Sequence, residues 1–592
     1  MKKIWTKALA LVLACCVSLP LAACNGAGNN GGGEGAGNKV SISVHFNRGG
    51  VQSAWFYDVE KRFEEATKDK PYGNKTGINL TWSDETVTKL DDAPTAGTNI
   101  YMTGGTSGGD FSKYIRDEYI MDISDVVTSV NPYDGKTIES KLSSNNKSFA
   151  LDGKYYALPW KEYFIGITHN ADIFEKYGLY FADTTNGTAY KGNGGYIGNS
   201  YYFTAENGNV GKTAGIDGKK GTYDDGLPTT LEELMALCHK IKDMGSEWFP
   251  FACTGGTHED YTNYLTEAIL IGLEGKDRFR NYSDCDGEME IVIDYTQEKL
   301  WGLSDVYVPV TEKVNINPND KSTWIDISKS AARYYAIAFI KYITQNGMIC
   351  DCITNPGSSN ISVQNGFIFS DTHMDNGHNS AMIMEGSYWY TESEHNGNFG
   401  QWDSYMSGEE RPEFGIMPYV GAVNGSVSGV ETTLAYLSSN CNVVINNNLM
   451  KDYENNKYVI EACKEFLYFF YSDNEIKNYI EATGQNRCKT NYDWQSLVYE
   501  KDESGNYKNG LNGTRVIKAD CKIPSYQITV LELERDAVLL DMEPTEVNPT
   551  AFLEINNISS LMRTGEGVFY SVFHKGSMTV QEAFEKTFVP YS

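Results

Sequence analysis

Several short stretches of this 592-residue chain hold side chains at spacings that could do chemistry. Residues 217–226 (DGKKGTYDDG) collect Asp217, Asp224 and Asp225 in a turn-prone, glycine-rich loop. Calcium takes roughly six to eight oxygens from such loops. The spacing does not meet the EF-hand rule of alternating acids and a later Glu, so a structural calcium ion and a solvated acidic turn both stay open. Gly105, Ser107 and Gly109 match the G-x-S-x-G turn of a hydrolase nucleophile. That turn needs a helix directly after it and a late histidine, and His574 stands without an Asp–His context. Residues 206–213 (ENGNVGKT) end like a phosphate loop but lack its opening glycine. Cys350 and Cys352 are too close for the usual zinc-ligand spacing.

The elements that would position any site begin after an export signal. Lys2, Lys3 and Lys7 precede the apolar run 8–23, which ends in Leu21, Ala22, Ala23 and Cys24. This is a secretory signal rather than a spanning helix, and Cys24 at its end resembles the lipid-accepting cysteine of a bacterial lipobox. The chain is expected to sit on the extracellular face of the cell membrane, lipid-anchored through Cys24. Residues 24–39, rich in Gly and Asn, read as a tether. No later stretch has the roughly 18 consecutive apolar residues of a span. A net charge of −28 disfavours nucleic acid, which needs clustered Lys and Arg. Of 12 cysteines, nine follow Cys24, an odd number that leaves at least one thiol outside any internal pairing.

Residues 40–46 alternate as a strand, 53–67 place Trp55, Phe56, Val59 and Phe63 at helical spacing, and 78–82 form a second strand. Strand, helix and strand with short links predict a parallel sheet with crossover helices. Further helices are expected at 230–245, 328–346, 457–471 and 474–482. Residues 184–226 read as a surface insertion.

Residues 155–179 (YYALPWKEYFIGITHNADIFEKYGL) resemble a passage of the sugar-binding lipoproteins that serve bacterial ABC importers, the solute-binding family that includes the maltose-binding protein. His169 stands where that family usually has Tyr. Residues 117–127 (DEYIMDISDVV), 227–234 (LPTTLEEL), 248–251 (WFPF), 381–389 (AMIMEGSYW), 414–418 (FGIMP), 462–472 with Gly484, and 580–588 (VQEAFEKTF) follow in the family's order. The resemblance implies a two-lobe, hinged, type II periplasmic-binding-protein-like α/β fold. Lobe 1 is expected to take residues 40–165 and about 418–500, and lobe 2 residues 166–417 and about 501–592. It implies a monomer that captures a carbohydrate, an oligosaccharide in the main reading, and delivers it to ABC permease subunits. No catalysis and no required cofactor are implied.

A sugar needs planar rings to cover its C–H faces and polar groups to satisfy its hydroxyls. The 40 Tyr and 10 Trp are an ample supply of rings. On the resemblance, ligand contacts fall on Asn47, Arg48, Asp110, Trp160, Tyr163, Tyr261, Tyr264, Tyr388 and Trp389, with His258, Glu259 and Asp260 in the same loop as Tyr261. Arg487 is a further candidate for ligand or the opposite lobe. The rival is a lipid-anchored carbohydrate-active hydrolase, which would need two carboxylates across the cleft.

Overall fold

The structure is a computed structural model. It describes residues 36–85, 90, 93, 95, 97–104, 113–142, 150–151, 153–161, 163–190, 201–208, 211–255, 258–374, 378–423, 427–428, 433–436, 441–487, 491–510, 514–541 and 578–586. The signal, Cys24, Ser107 and Asp110 lie outside them, as do the side chains of His258, Glu259 and Asp260.

The main strands in chain order are β1 (Val40–Asn47), β2 (Ile78–Glu85), β3 (Ile100–Met102), β4 (Leu158–Pro159), β5 (Ile165–Asn170), β6 (Trp248–Ala252), β7 (Gly287–Lys299), β8 (Tyr307–Ile316), β9 (Asn379–Gly386), β10 (Phe414–Met417) and β11 (Asn442–Ile445). The main helices are α1 (Ala54–Thr67), α2 (Ala171–Lys176), α3 (Leu231–Lys242), α4 (His258–Asp284), α5 (Ala331–Gln345), α6 (Asn360–Ile368), α7 (Trp389–His395), α8 (Tyr453–Phe470), α9 (Asp473–Thr483), α10 (Ser525–Asp536) and α11 (Val580–Lys586).

Two sheets define two lobes. Lobe 1 has the order β2-β1-β3-β11-β4, with β1 parallel to β2 and β3, and β11 antiparallel to β3 and β4. Its core joins Val40, Ile42 and Val44 of β1 to Phe56, Val59 and Phe63 of α1 and Phe466, Leu467 and Phe470 of α8. Lobe 2 has the order β6-β9-β5-β10, with β6 parallel to β9 and β5 antiparallel to both β9 and β10. Every residue of β9 is buried, as an apolar run in the middle of a covered sheet requires. The expected parallel β1–α1–β2 unit is present.

Local chemistry sets the helix ends. Thr230 and Glu233 form a reciprocal capping box at the start of α3, so that helix begins at Leu231. Ser472 caps α9, and Gly484 ends it at φ 67, a left-handed conformation that glycine adopts without strain.

The chain first crosses between lobes through Trp160–Phe164, between β4 and β5. The return differs from expectation. Residues 418–423 stay with lobe 2, where Tyr419, Val420 and Val423 are buried in its core, and lobe 1 resumes at Cys441, just before β11. Helix α10 packs on β10, and α11 on α5, so both belong with lobe 2. The long antiparallel hairpin β7–β8 was not anticipated. Cys238, Cys253, Cys350, Cys441, Cys463 and Cys521 are free thiols, mostly buried, and Cys488 lies outside the described residues.

Candidate functional site

Strand β9 places the central acid of the site. Glu385 is the last residue but one of a wholly buried strand, and it is only 1% exposed. Burial, with the nearby Glu392 carboxyl adding to it, pushes Glu385 up to about 8. Glu392, on α7, is also raised, chiefly by burial. One amide serves both acids: Gln364 of α6 donates from Nε2 to Glu385 Oε1 and to Glu392 Oε2, each at 2.9 Å. Ser393 Oγ donates to Gln364 Oε1 at 2.8 Å, which turns the amide's donor end toward the carboxyls. The Gly386 amide and the Tyr261 hydroxyl donate to Glu385 Oε2 at 3.3 and 3.5 Å.

Four tyrosines lie in two pairs near this acid, and the Tyr261 hydroxyl touches it. Tyr261 and Tyr264 neighbour each other on α4, their ring centres 5.5 Å apart. Tyr163 of the crossover meets Tyr388 edge-on at 5.0 Å. Burial raises the Tyr261 and Tyr388 hydroxyls most, and the nearby Glu385 and Glu392 carboxyls add to it. All four rings are half-buried, as surfaces of a cleft should be. Ser387 Oγ accepts the Phe164 amide at 3.3 Å, and the Ser387 amide donates to Phe164 O at 2.8 Å, so the crossover is tied to this corner.

Lobe 1 meets the tyrosines with backbone. A Cβ on Gly50, which sits at φ +78, would stand 2.7 Å from Tyr388 Cγ. A Cβ on Gly386 would stand 2.3 Å from Cε1 of the same ring. Tyr388 therefore lies between one glycine from each lobe. Asn47 ends β1, is 5% exposed, and accepts from the Gly49 amide and from Lys161 Nζ, both at 3.0 Å. Lys161 also donates to Gly49 O at 2.7 Å, linking the crossover to the loop after β1.

The structure thus brings together Asn47, Tyr163, Tyr261, Tyr264 and Tyr388, and it separates the others. Trp389 points the opposite way from Tyr388: it is fully buried and packs against Phe367, Phe414 and Tyr526 in the lobe 2 core. The chain turns from strand to helix at this point, so neighbouring side chains diverge. Trp160 is likewise fully buried, donating from Nε1 to Thr103 O at 2.7 Å and stacking on Trp55 at 6.1 Å. Arg48 lies on the rim, 3.6 Å from Asp84. Arg487 is core, with its guanidinium 3.7 Å from the Phe470 ring centre and 4.6 Å from that of Tyr479. His169 is buried beside Phe174, and burial, with Lys212 adding to it, lowers it to about 3, so its imidazole is neutral.

In the acidic loop the carboxyls of Asp217, Asp224 and Asp225 accept hydrogen bonds from the turn, while Asp217 Oδ2 and Asp225 Oδ1 are buried without a hydrogen-bond partner. Asp224 accepts from the Asp217 amide at 3.0 Å and the Thr222 hydroxyl at 2.7 Å, while Asp225 accepts from the Gly221 amide at 2.7 Å. Asp217 accepts from the Lys219 amide at 2.7 Å. The carboxyls hold the turn itself together, and among the described residues no three His, Cys, Asp or Glu are placed to hold a metal ion.

Sequence analysis missed Glu385, Gln364, Glu392, Lys161 and Gly50. Glu385 left one signal, a lone charge inside the apolar run 381–386. Two surface cavities, about 470 and 390 Å³, lie elsewhere: one is lined by Lys141, Asp473 and Tyr492, the other by Lys70, Glu465 and Tyr468. Among the described residues no helix is long and apolar enough to cross a membrane.

No family model matches the chain, and no curated protein matches it. Solved structures do. A chitin oligosaccharide binding protein is 14% identical, with a TM-score of 0.52 over 93% of this chain and 98% of that one. RafE from Streptococcus pneumoniae, in its apo form, is 12% identical, with a TM-score of 0.47 over 91% and 99%. A binding protein of an ABC transporter from Bifidobacterium animalis subsp. lactis, in complex with mannobiose, is 13% identical, with a TM-score of 0.47 over 93% of each chain. The fold that the chain shares with the first of these is the two-lobe, type II periplasmic-binding-protein-like α/β fold.

Proposed function

We propose that the protein is a lipid-anchored extracellular receptor that captures a carbohydrate between its lobes and delivers it to the permease subunits of an ABC transporter. One observation carries this reading: four half-buried tyrosines flank a hydrogen-bonding carboxyl where the two lobes meet. Such rings cover the C–H faces of a sugar, while the carboxyl and the tyrosine hydroxyls meet its rim. The structures it is like in fold supply the carbohydrate class, and the signal and Cys24 supply the location. The arrangement favours binding over hydrolysis. Glycoside cleavage needs two carboxyls facing each other across an open gap, whereas Glu385 and Glu392 are bridged by Gln364.

A thermal-shift screen of the purified protein against mono- and oligosaccharides tests the reading, because a ligand that binds only the folded state raises its stability. A saccharide that raises the melting temperature without being turned over supports it. Turnover of the sugar, or no shift with any saccharide, overturns it. Replacing Cys24 with Ser should move the protein from the membrane fraction to the medium, and retention on the membrane would remove the lipid anchor from the proposal.

A further inference from the structure

The carbohydrate reading leaves the length of the ligand open, and the rim of lobe 1 bears on it. Tyr57, in the first turn of α1, is 54% exposed, yet its ring is held in place. Trp82 of β2 meets it edge-to-face, with ring centres 4.6 Å apart. Trp82 is itself fixed: its Nε1 donates to Glu60 Oε2 at 2.6 Å, and the Phe46 and Phe56 rings lie 5.5 and 5.6 Å from it. A lone exposed ring needs no explanation, but this one stands beside a partly exposed charge pair. Arg48 Nη1 is 3.6 Å from Asp84 Oδ2, and Asp84 shares a face of β2 with Trp82, two residues before it.

This rim continues from the corner where the lobes meet. Gly50, whose backbone lies against the Tyr388 ring, is two residues from Arg48. The loop that joins them to α1 has one fixed shape. Gln52 holds a left-handed φ of 58, its amide donates to Arg48 O at 2.8 Å, and Trp55 Nε1 donates to Gln52 O at 3.0 Å. Non-glycine residues held in this conformation cluster at ligand-binding segments.

We infer that Tyr57, Arg48 and Asp84 form an outer subsite for an oligosaccharide, receiving a sugar unit that leaves the cleft over the start of α1. This rests on the carbohydrate reading and narrows it to a chain that extends beyond the cleft. The exposed Tyr57 ring covers the C–H face of that unit. The Arg48 guanidinium has N–H donors to spare and the Asp84 carboxylate has acceptor sites to spare, so the pair serves hydroxyls on the unit's rim. Because Trp82 already holds the ring, little ordering is left for the ligand to impose.

The test is calorimetric titration of the intact protein with three linear series, the cello-, manno- and malto-oligosaccharides of two to six units. In a series that binds, affinity should rise about fivefold or more between the disaccharide and the length that reaches Tyr57, then level off. Tyr57→Ala should remove that gain while keeping the affinity for the disaccharide and the melting temperature of the parent. Tyr57→Phe retains the ring and should keep the gain, and Arg48→Met should reduce it. Equal affinity from two to six units, or a gain that Tyr57→Ala retains, overturns the inference and leaves the carbohydrate reading in place. A Tyr57→Ala protein that loses affinity alike at every length marks a change in the cleft itself and overturns it as well. Binding of no member of any series overturns the inference, and the thermal-shift screen then decides the carbohydrate reading.

Discussion

Tyr388 and Trp389 are adjacent in sequence and opposite in role, and that difference can be measured. Tyr388 lies between Gly50 and Gly386 with its ring edge on Tyr163, whereas Trp389 is sealed in the lobe 2 core. Tyr388→Ala should weaken ligand binding about tenfold or more while leaving the melting temperature nearly unchanged. Trp389→Ala should cost about 3–5 kcal/mol of stability through the cavity it leaves. If Trp389→Ala lost binding at normal stability, the assignment of the two rings would be reversed. Titration gives a second prediction. Glu385 rises from 4.5 to about 8 on folding, so between those values the folded state holds a proton that the unfolded state lacks, and stability falls as pH rises. His169 falls from 6.5 to about 3, so between those values stability rises with pH. The two slopes oppose each other below 6.5, and from there to about 8 only the Glu385 slope remains. Stability should therefore decline by about 2 kcal/mol across that upper window. Denaturant melts of Glu385→Gln should lose this decline, and a variant with the parent's slope would rule out Glu385 as its source.

At the level of elements, the contact between lobes rests on Gly50. The loop after β1 brings its backbone against the Tyr388 ring, and the positive φ of 78 makes the position costly for any other residue. Gly50→Ala should lose about 1–2 kcal/mol for the left-handed backbone alone, and its Cβ would push Tyr388 off lobe 1. The ligand-free variant should then show a larger radius of gyration by small-angle scattering, and saturating ligand should restore compactness. An unchanged radius would mean that this contact does not hold the lobes together. Elements were read from sequence where one physical rule decided them. Trp55, Phe56, Val59 and Phe63 fall on one helical face and are all buried in α1, and Thr230 with Glu233 marks the start of α3. The site was legible only in part. Tyr163, Tyr261, Tyr264 and Tyr388 are ordinary aromatic residues whose grouping depends on three distant segments. Glu385 was visible as an odd charge in an apolar strand, but its partner Gln364 comes from a helix with no polar pattern to mark it. The return crossover was misplaced because 414–418 ends a lobe 2 strand, and Tyr419, Val420 and Val423 still pack in the lobe 2 core before Cys441 joins that of lobe 1.

The whole molecule has two large cores, one around β1, α1 and α8 and one around β9, β5 and α4, joined by polar contacts at Lys161 and by a smaller apolar cluster in which Ile476 and Ile480 of α9 meet Ile528 and Leu531 of α10. Such a chain need not unfold as one unit. Without ligand, calorimetry should resolve two transitions, one for each lobe. Ligand at a hundred times its Kd adds about 2.7 kcal/mol of stability to whatever it binds, and how that gain is shared reveals what the ligand touches. If it contacts only Tyr261, Tyr264 and the Glu385 corner, only the lobe 2 transition should move. If it also rests on the loop of Asn47 and Gly50, both transitions should rise and draw together, because opening either lobe then breaks the same contacts. The second result is expected, since Lys161 and Tyr388 already join both lobes at this point and closure by ligand is a population shift toward that joined state. Movement of the lobe 2 transition alone would make the protein a one-lobe receptor, in which closure plays no part in capture.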